Sequence, residues 1–342
     1  MKMLKWWNKY WFRSAPLFNL AVCRIVIVGY QLYLFGTRHE SYISAATLPA
    51  FLYDPLPVLE LFVGPFGAAY RPGQEVLIVV YWATLGAGGA AWVGLFTKPN
   101  LWVFALGNIF LQGHAYSYGE VHHPGALMMI ALVILAMSPV GKELSIDDFW
   151  RKSRSKVVGI RDYLYSLGEK KSAFARWPLL LIQILFALVY LDAGLSKMEE
   201  AGLDWMNGYT LQYYLAQDAM RWGSDLGLWL SQHHTLVKIM SWGSALFELT
   251  FFLVLFFPWL AIVYVPVGIS IHTGIYITMS APFFTYIALY SVFVPWTYMF
   301  NVTKNREVEF HKERQIGVIL PTTKNNIQKH KEMNEKDNVK QT

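Results

Sequence analysis

The sequence predicts an all-α fold: a polytopic integral membrane bundle of about eight transmembrane helices with short interfacial helices. Of the 342 residues, 55% are hydrophobic and 16% are aromatic, whereas only 15% are charged. A soluble domain carries about 25% charged residues, so this composition indicates a chain that lies in a lipid bilayer. The apolar residues also fall into long runs separated by polar loops, as expected for membrane-spanning helices. The single cysteine excludes an intrachain disulfide and a redox pair of cysteines.

Three regions follow one another along the chain. Residues 1–16 mix basic and aromatic side chains, which predicts an interfacial segment on the inner leaflet. Residues 17–300 form the transmembrane domain, and residues 301–342 predict a polar cytoplasmic tail that is partly disordered. The predicted spans are 17–35, 76–96, 101–112, 124–140, 178–195, 239–257, 260–279 and a last span that ends near residue 300.

The distribution of basic residues predicts the orientation of these spans. Lysine and arginine are concentrated in the amino end, the link around Lys98, the loop 141–176 and the tail, and the alternate loops hold very few. Because cytoplasmic loops carry the excess of basic residues, we expect a multi-pass protein of the cell membrane with both termini in the cytoplasm. The net charge of +6 therefore reflects topology and lipid contact, and no nucleic-acid partner is expected.

Lys197, at the end of the fifth span, is the first candidate functional residue. One interpretation is a snorkelling lysine whose stem crosses the interface while its charge stays in water. The other is a partly desolvated lysine that accepts a proton near neutral pH. Asp192 lies five residues earlier, about 7.5 Å along the helix axis, and an acid and a base in one segment indicate a polar cavity.

Further ionisable residues lie in the outer half of the predicted bundle. His123 begins the fourth span, Glu248 lies in the sixth and His272 in the seventh. An ionisable residue at such depth costs about 2.5–3.5 kcal/mol on insertion scales, so several at one level favour a shared hydrated cavity. His272 has the alternative of a core histidine bonded to a carbonyl. Arg24 lies inside the first span, where a structural ion pair with an acid such as Glu248 is expected.

The histidine spacing does not favour a metal site. Membrane di-iron enzymes need H-x-x-x-H and H-x-x-H-H clusters that bring their ligands together at helical spacing. Here residues 122–123 and 233–234 are adjacent pairs, and adjacent helical residues point about 100° apart. No metal is expected.

The residues around Lys197 resemble a known family. Residues 190–198 (Tyr-Leu-Asp-Ala-Gly-Leu-Ser-Lys-Met) and 204–211 (Asp-Trp-Met-Asn-Gly-Tyr-Thr-Leu) are similar to the vitamin K-dependent gamma-carboxylases. They are also similar to the horizontally transferred transmembrane (HTTM) domain proteins, which share the membrane part of those enzymes. The Ala-Gly-x-x-Lys motif of the carboxylases supplies a lysine thought to deprotonate vitamin K hydroquinone, and Lys197 occupies that place. His123 resembles a histidine that assists the quinone chemistry, His272 a histidine of a later span, and Arg24 the arginine of the first span.

The resemblance covers roughly residues 15–300 and implies a carboxylase-like lyase in the membrane. In it, Lys197, His123 and His272 would act on a quinol-like or other lipid-soluble substrate, with reduced vitamin K or another quinol as the candidate cofactor. Ser196 departs from the carboxylases, which have a second lysine at that position. The alternative is a non-catalytic membrane protein: a transporter, or a partner in the maturation or export of a peptide or toxin. Lys197 discriminates between the two classes, because a structural role is satisfied by any cation.

Overall fold

The structure, a computed structural model, describes residues 2–64, 71–119, 123–155 and 159–304. For Lys2, Met3, Val63, His123, Pro124 and Ser155 it describes the backbone alone. The chain divides into one compact unit, Met1–Val294, and a second unit, Pro295–Thr342, in which residues 296–304 are helical. Most of the predicted tail therefore lies outside the described residues.

Helices make up nearly all of the first unit, which confirms the predicted all-α class. The α-helices are α1 (Lys2–Trp11), α2 (Leu17–Thr37), α3 (His39–Ser44), α4 (Pro57–Val63), α5 (Gln74–Val93), α6 (Thr97–Tyr116), α7 (His123–Met137), α8 (Ile146–Ser155), α9 (Ile160–Tyr165), α10 (Arg176–Ala201), α11 (Tyr209–Trp222), α12 (Asp225–Ser231), α13 (His234–Thr250), α14 (Ala261–Met279) and α15 (Phe284–Leu289). Short 3-10 helices are Ala45–Thr47, Ala50–Leu52, Val140–Lys142, Ala173–Ala175, Gly202–Asn207, Phe251–Leu255, Pro258–Leu260 and Tyr290–Phe293. Two short strands, β1 (Ala15–Pro16) and β2 (Lys171–Ser172), pair antiparallel.

Five segments of the described chain are long and apolar enough to cross a bilayer: Leu17–Thr37, Gln74–Val93, Ala173–Asn207, His234–Leu255 and Pro258–Met279. They coincide with the first, second, fifth, sixth and seventh predicted spans. The third predicted span is α6, which is equally long but more polar. The fourth and eighth correspond to the shorter apolar helices Gly125–Met137 and Phe284–Phe293. The protein is thus a multi-pass membrane protein in contact with lipid, and the count of eight crossings stays a prediction.

The eighth predicted span is wrong in extent, because its helix ends well before residue 300. After α15 the chain tightens into the 3-10 helix Tyr290–Phe293, and Val294 is extended at φ −86° and ψ 128°. A residue before proline is pushed out of the helical region by the proline ring, and Pro295 follows here. The helix of residues 296–304 is therefore a separate element.

The amino end is fastened to the start of α10. The guanidinium of Arg176 donates a hydrogen bond through Nε to the carbonyl of Tyr10 at 2.8 Å. The backbone N–H of Leu17 donates to the carbonyl of Lys170 at 3.0 Å, beside the β1–β2 pair. The predicted interfacial segment is thus tied to the bundle, and its contact with the membrane surface stays a prediction.

An aromatic core lies between α10, α15 and the 3-10 helices Phe251–Leu255 and Tyr290–Phe293. The ring of Phe186 lies 5.0–5.7 Å from the rings of Tyr190, Phe251, Tyr286 and Tyr290, measured between centroids. Aromatic pairs at such distances add about 0.5–1.5 kcal/mol each beyond the area that they bury. This packing fixes the rings of Tyr190 and Tyr290, and with them the position of their hydroxyl groups.

The segment between α7 and α10 caps the start of α6. The carboxylate of Asp147 accepts hydrogen bonds from the N–H groups of Phe96 and Thr97 and from the hydroxyl of Thr97, at 2.6–2.8 Å. Burial alone raises the pKa of Asp147, but these three hydrogen bonds together hold it below its usual value. An acid at this end of a helix also complements the helix dipole, so Asp147 fixes this segment against α6.

Candidate functional site

Lys197 lies between two helices and pairs with an acid. Its Nζ is 2.6 Å from Oε2 of Glu248, so the ion pair joins α10 to α13. The same Nζ lies 5.3 Å from the centre of the Trp205 ring, within the range of a cation–π interaction. The two charged side chains are 21% and 17% exposed. They are therefore largely shielded, yet a small molecule at the surface can reach them.

The local sequence explains how this pair is brought together. A Cβ atom at Gly194 would lie 3.1 Å from the backbone nitrogen of Leu249, so glycine lets α10 and α13 approach closely at this level. Glu248, next to Leu249, is thereby brought within reach of Lys197. Gly202 ends α10 with φ +57°, a conformation that glycine adopts at little cost, and the following 3-10 helix carries Trp205 to Lys197. The glycine and the lysine of the motif thus have distinct structural roles.

A second polar group lies deeper in the bundle. The hydroxyl of Tyr190 is 2.6 Å from Nε2 of His272 and 2.5 Å from the hydroxyl of Tyr290. Tyr190 precedes Lys197 by seven residues, two helical turns, so both lie on the same face of α10, about 10.5 Å apart along the axis. Gly268 of α14 makes room for the group, because a Cβ atom there would lie 1.7 Å from the Tyr290 hydroxyl.

Arg24 does not belong to this site, and the predicted pair of Arg24 with Glu248 is wrong. The Arg24 side chain donates through Nη2 to the carbonyl of Leu144 at 2.7 Å. Leu144 lies in the segment that precedes α10, whereas Glu248 pairs with Lys197 near the end of that 26-residue helix. The cation beside Glu248 is therefore Lys197. The position of Arg24 along its predicted span did not reveal that it lies toward the end of the bundle opposite to Lys197.

The model of the HTTM domain family matches residues 62–298, more than half of the chain. The chain belongs to the HTTM domain family. The matched region contains Lys197, Glu248, Tyr190 and His272, whereas Arg24 lies before it. No curated protein and no solved structure matches the chain.

The structure bears differently on two other predicted site residues, Asp192 and His123. Asp192 is exposed and forms no ion pair with any described residue. Five helical residues turn through about 140° relative to the starting direction, so Asp192 points away from Lys197. His123 begins α7, but its side chain lies outside the described residues. A single cavity lined by Lys197, His123 and His272 therefore stays a prediction, as do their catalytic roles.

The sequence analysis did not identify three residues of the candidate site: Tyr190, Trp205 and Tyr290. Tyr190 lies inside the recognised motif, and its spacing of two turns from Lys197 is the signal that could have revealed it. Trp205 also lies in the motif, but its approach to Lys197 depends on the turn at Gly202. Tyr290 had no local signal, because only the packing of the 3-10 helix Tyr290–Phe293 against α10 brings its hydroxyl to Tyr190.

Proposed function

We propose that this HTTM protein is a membrane-embedded enzyme that removes a proton from a weakly acidic hydroxyl of a quinol-like, lipid-soluble molecule. The observation that supports the proposal is the 2.6 Å contact between Lys197 Nζ and Glu248 Oε2. An acid and a base in direct contact and largely shielded from water form a centre within which a proton can move. The partial exposure of both side chains gives a substrate access to that centre.

The role of the pair follows from counting protons. An ammonium cannot accept a proton, so Lys197 must first pass one proton to the carboxylate of Glu248. The neutral amine then takes the proton of the substrate hydroxyl and becomes an ammonium again. The result is a protonated Glu248 and a substrate oxyanion held beside the Lys197 ammonium, with the total charge unchanged. In this scheme Glu248 stores the proton, and Lys197 both removes it from the substrate and stabilises the oxyanion.

The face of Trp205 and the deeper hydroxyl group complete the proposed site. An aromatic face beside the ammonium suits a flat, aromatic substrate as well as the cation itself. Tyr190 lies deeper along the same face of α10 and, with His272 of α14, would offer polar atoms to a substrate that extends from Lys197 into the bundle. The resemblance to the carboxylases supports reduced vitamin K or another quinol as that substrate, and carboxylase-like chemistry as the reaction.

A non-catalytic protein is the second candidate, and the same ion pair favours it. Each charge of the Lys197–Glu248 pair neutralises the other, so the contact also suits a fixed link between α10 and α13. A transporter or a partner in the maturation or export of a peptide needs such a link and no proton acceptor. The two candidates differ in what they require of residue 197.

Arginine at position 197 tests the proposal. Arginine keeps the positive charge and reaches a carboxylate, but it stays protonated near neutral pH. We expect Lys197→Arg to be folded and to lose function, and Glu248→Gln to lose function because no group stores the proton. The measurements are the formation of hydroquinone anion, followed by absorbance without oxygen, and the phenotype that the intact gene confers. Lys238→Arg, at an exposed lysine of α13, is the matched control. Full function of Lys197→Arg would overturn the enzymatic proposal and leave the structural one.

A further inference from the structure

An apolar groove lies beside the segment that precedes α10, far along the chain from the Lys197 site. Its volume is about 400 Å³, and it is open along one side. Apolar side chains of α2, α5, α8 and α9 form most of its walls, among them Ile25, Trp92, Phe149 and Leu164. Arg24 is the charged residue among the described side chains that line it.

The guanidinium of Arg24 is buried, and two of its nitrogens have no hydrogen-bond acceptor among the described residues. Its side chain is fully buried, and Nη2 donates to the carbonyl of Leu144 at 2.7 Å. Nε and Nη1 have no hydrogen-bond partner within the described part of the chain. A Cβ atom at Gly94 would lie 2.6 Å from Nη1, so glycine is needed where the guanidinium passes. Unpaired donors on a buried cation are costly, so this arrangement indicates a missing acceptor.

The neighbouring groups do not supply that acceptor. The carboxylate of Asp147 acts on Arg24 through its charge, but its oxygens accept hydrogen bonds from Phe96 and Thr97 and form no ion pair with the guanidinium. Burial raises the pKa of Tyr163 to about 12, so this residue is a neutral phenol at physiological pH. The Tyr163 hydroxyl is in addition 3.2 Å from the N–H of Ser145, from which it accepts.

We propose that the groove binds an anionic lipid, with the lipid oxyanion on Nε and Nη1 of Arg24 and an acyl chain along the apolar walls. A guanidinium offers its N–H groups in a planar fork that matches the oxygens of a phosphate or carboxylate. The apolar walls formed by Ile25, Trp92 and Phe149 suit a hydrocarbon chain and offer nothing to a hydrated ion. Arg24 is fully buried, so the oxyanion reaches it when a wall side chain turns aside. This site is independent of Lys197 and of the proposed enzymatic function.

Native mass spectrometry of the purified full-length protein tests the proposal with three probes: phosphatidylglycerol, phosphatidylcholine and inorganic phosphate. We expect phosphatidylglycerol to bind more tightly than phosphatidylcholine. Arg24→Gln should weaken its binding by about tenfold or more, because two charge-assisted hydrogen bonds are lost. Leu164→Asp places a negative charge on the exposed rim of the groove and should weaken binding similarly. Tyr165→Asp, the adjacent exposed residue of α9 that does not line the groove, should leave it unchanged.

Each outcome decides the proposal. If Arg24→Gln does not fold, the comparison of Leu164→Asp with Tyr165→Asp still separates binding in the groove from general charge repulsion. Equal affinity for the two lipids, or equal affinity of these two rim variants, would overturn the proposal. Full displacement of phosphatidylglycerol by millimolar inorganic phosphate would show a site for a free oxyanion and would overturn the assignment to a lipid.

Discussion

Gly268 holds open the space that the Tyr290 hydroxyl occupies, and its replacement by alanine tests the geometry of the deeper polar group. The added Cβ atom would lie 1.7 Å from the Tyr290 hydroxyl oxygen and 2.4 Å from Cζ. Non-bonded heavy atoms need about 3.5 Å, so the hydroxyl must retreat by roughly 1.5–2 Å. Such a shift breaks the 2.5 Å hydrogen bond between Tyr290 and Tyr190.

Two costs follow from that shift. Overpacking a well-packed interior costs about 1–3 kcal/mol, and a buried hydroxyl that loses its partner costs about 1–3 kcal/mol. We therefore expect Gly268→Ala to destabilise the protein by about 2–6 kcal/mol. At about 2 °C per kcal/mol, the sensitivity of larger domains, this corresponds to a Tm lower by about 4–12 °C.

Thermal unfolding in detergent, followed by tryptophan fluorescence, measures this effect. Gly274→Ala is the matched control, because it lies on the same helix and a Cβ atom there meets no atom within 4 Å. Alanine at that position is expected to be neutral or to stabilise the helix slightly. If both variants unfold at the same temperature, the close contact between Gly268 and the Tyr290 hydroxyl is absent in the protein, and the placement of that hydroxyl against α14 is wrong.

Three further predictions concern two acids before α10, Asp147 and Glu143, and the topology. Asp147→Asn should lower the stability at pH 7 by about 1–2 kcal/mol, as expected for a weakened helix cap. The difference in stability between the two proteins should shrink as the pH falls below 3.8, the usual pKa of an aspartate. The lowered pKa of Asp147 in the folded state means that its carboxylate stabilises the fold above that pH, and protonation removes this stabilisation. Burial instead raises the pKa of Glu143 above its usual value of 4.5. The contribution of Glu143 to the free energy of unfolding is therefore full at low pH and is lost as the pH rises through the folded-state pKa. Glu143→Gln should accordingly be at least as stable as the parent protein at pH 7. A pH series of thermal unfolding checks both variants, and a less stable Glu143→Gln contradicts the second. A cysteine introduced at exposed Gln232 should be labelled from outside intact cells, and one introduced at exposed Arg154 should not. Labelling at Arg154 would contradict the predicted orientation.

The helices were predictable wherever hydrophobicity and length alone decide them. The first span, 17–35 in the prediction and Leu17–Thr37 in the structure, agrees within two residues at its end, because a long apolar run has few alternatives in a bilayer. The eighth span failed where a local signal competed with hydrophobicity. Pro295 follows Val294, and the proline rule that breaks the helix was readable but was outweighed by the apolar character of the run.

The partners of the site residues were less predictable than the residues themselves. Lys197 was identified from its motif, but its pairing with Glu248 depends on the approach of α10 to α13 at Gly194. Depth along a helix says how far a residue lies from the membrane surface and nothing about which neighbour it faces. Arg24 and Glu248 were for that reason assigned to each other wrongly. The direction of Asp192 around α10, away from Lys197, follows from helical periodicity and could have been worked out in advance.

The contrast between the two shielded cations bears on which of them suits the proposed proton transfer. Lys197 has a carboxylate at 2.6 Å that can take its proton, whereas the described partner of Arg24 is the carbonyl of Leu144, which cannot. A guanidinium also stays protonated, so Arg24 is suited to holding an anion and unsuited to acting as a base. We therefore expect Arg24→Gln to lose lipid binding and to keep the proposed proton transfer at Lys197. Loss of both together would show that the two sites are coupled.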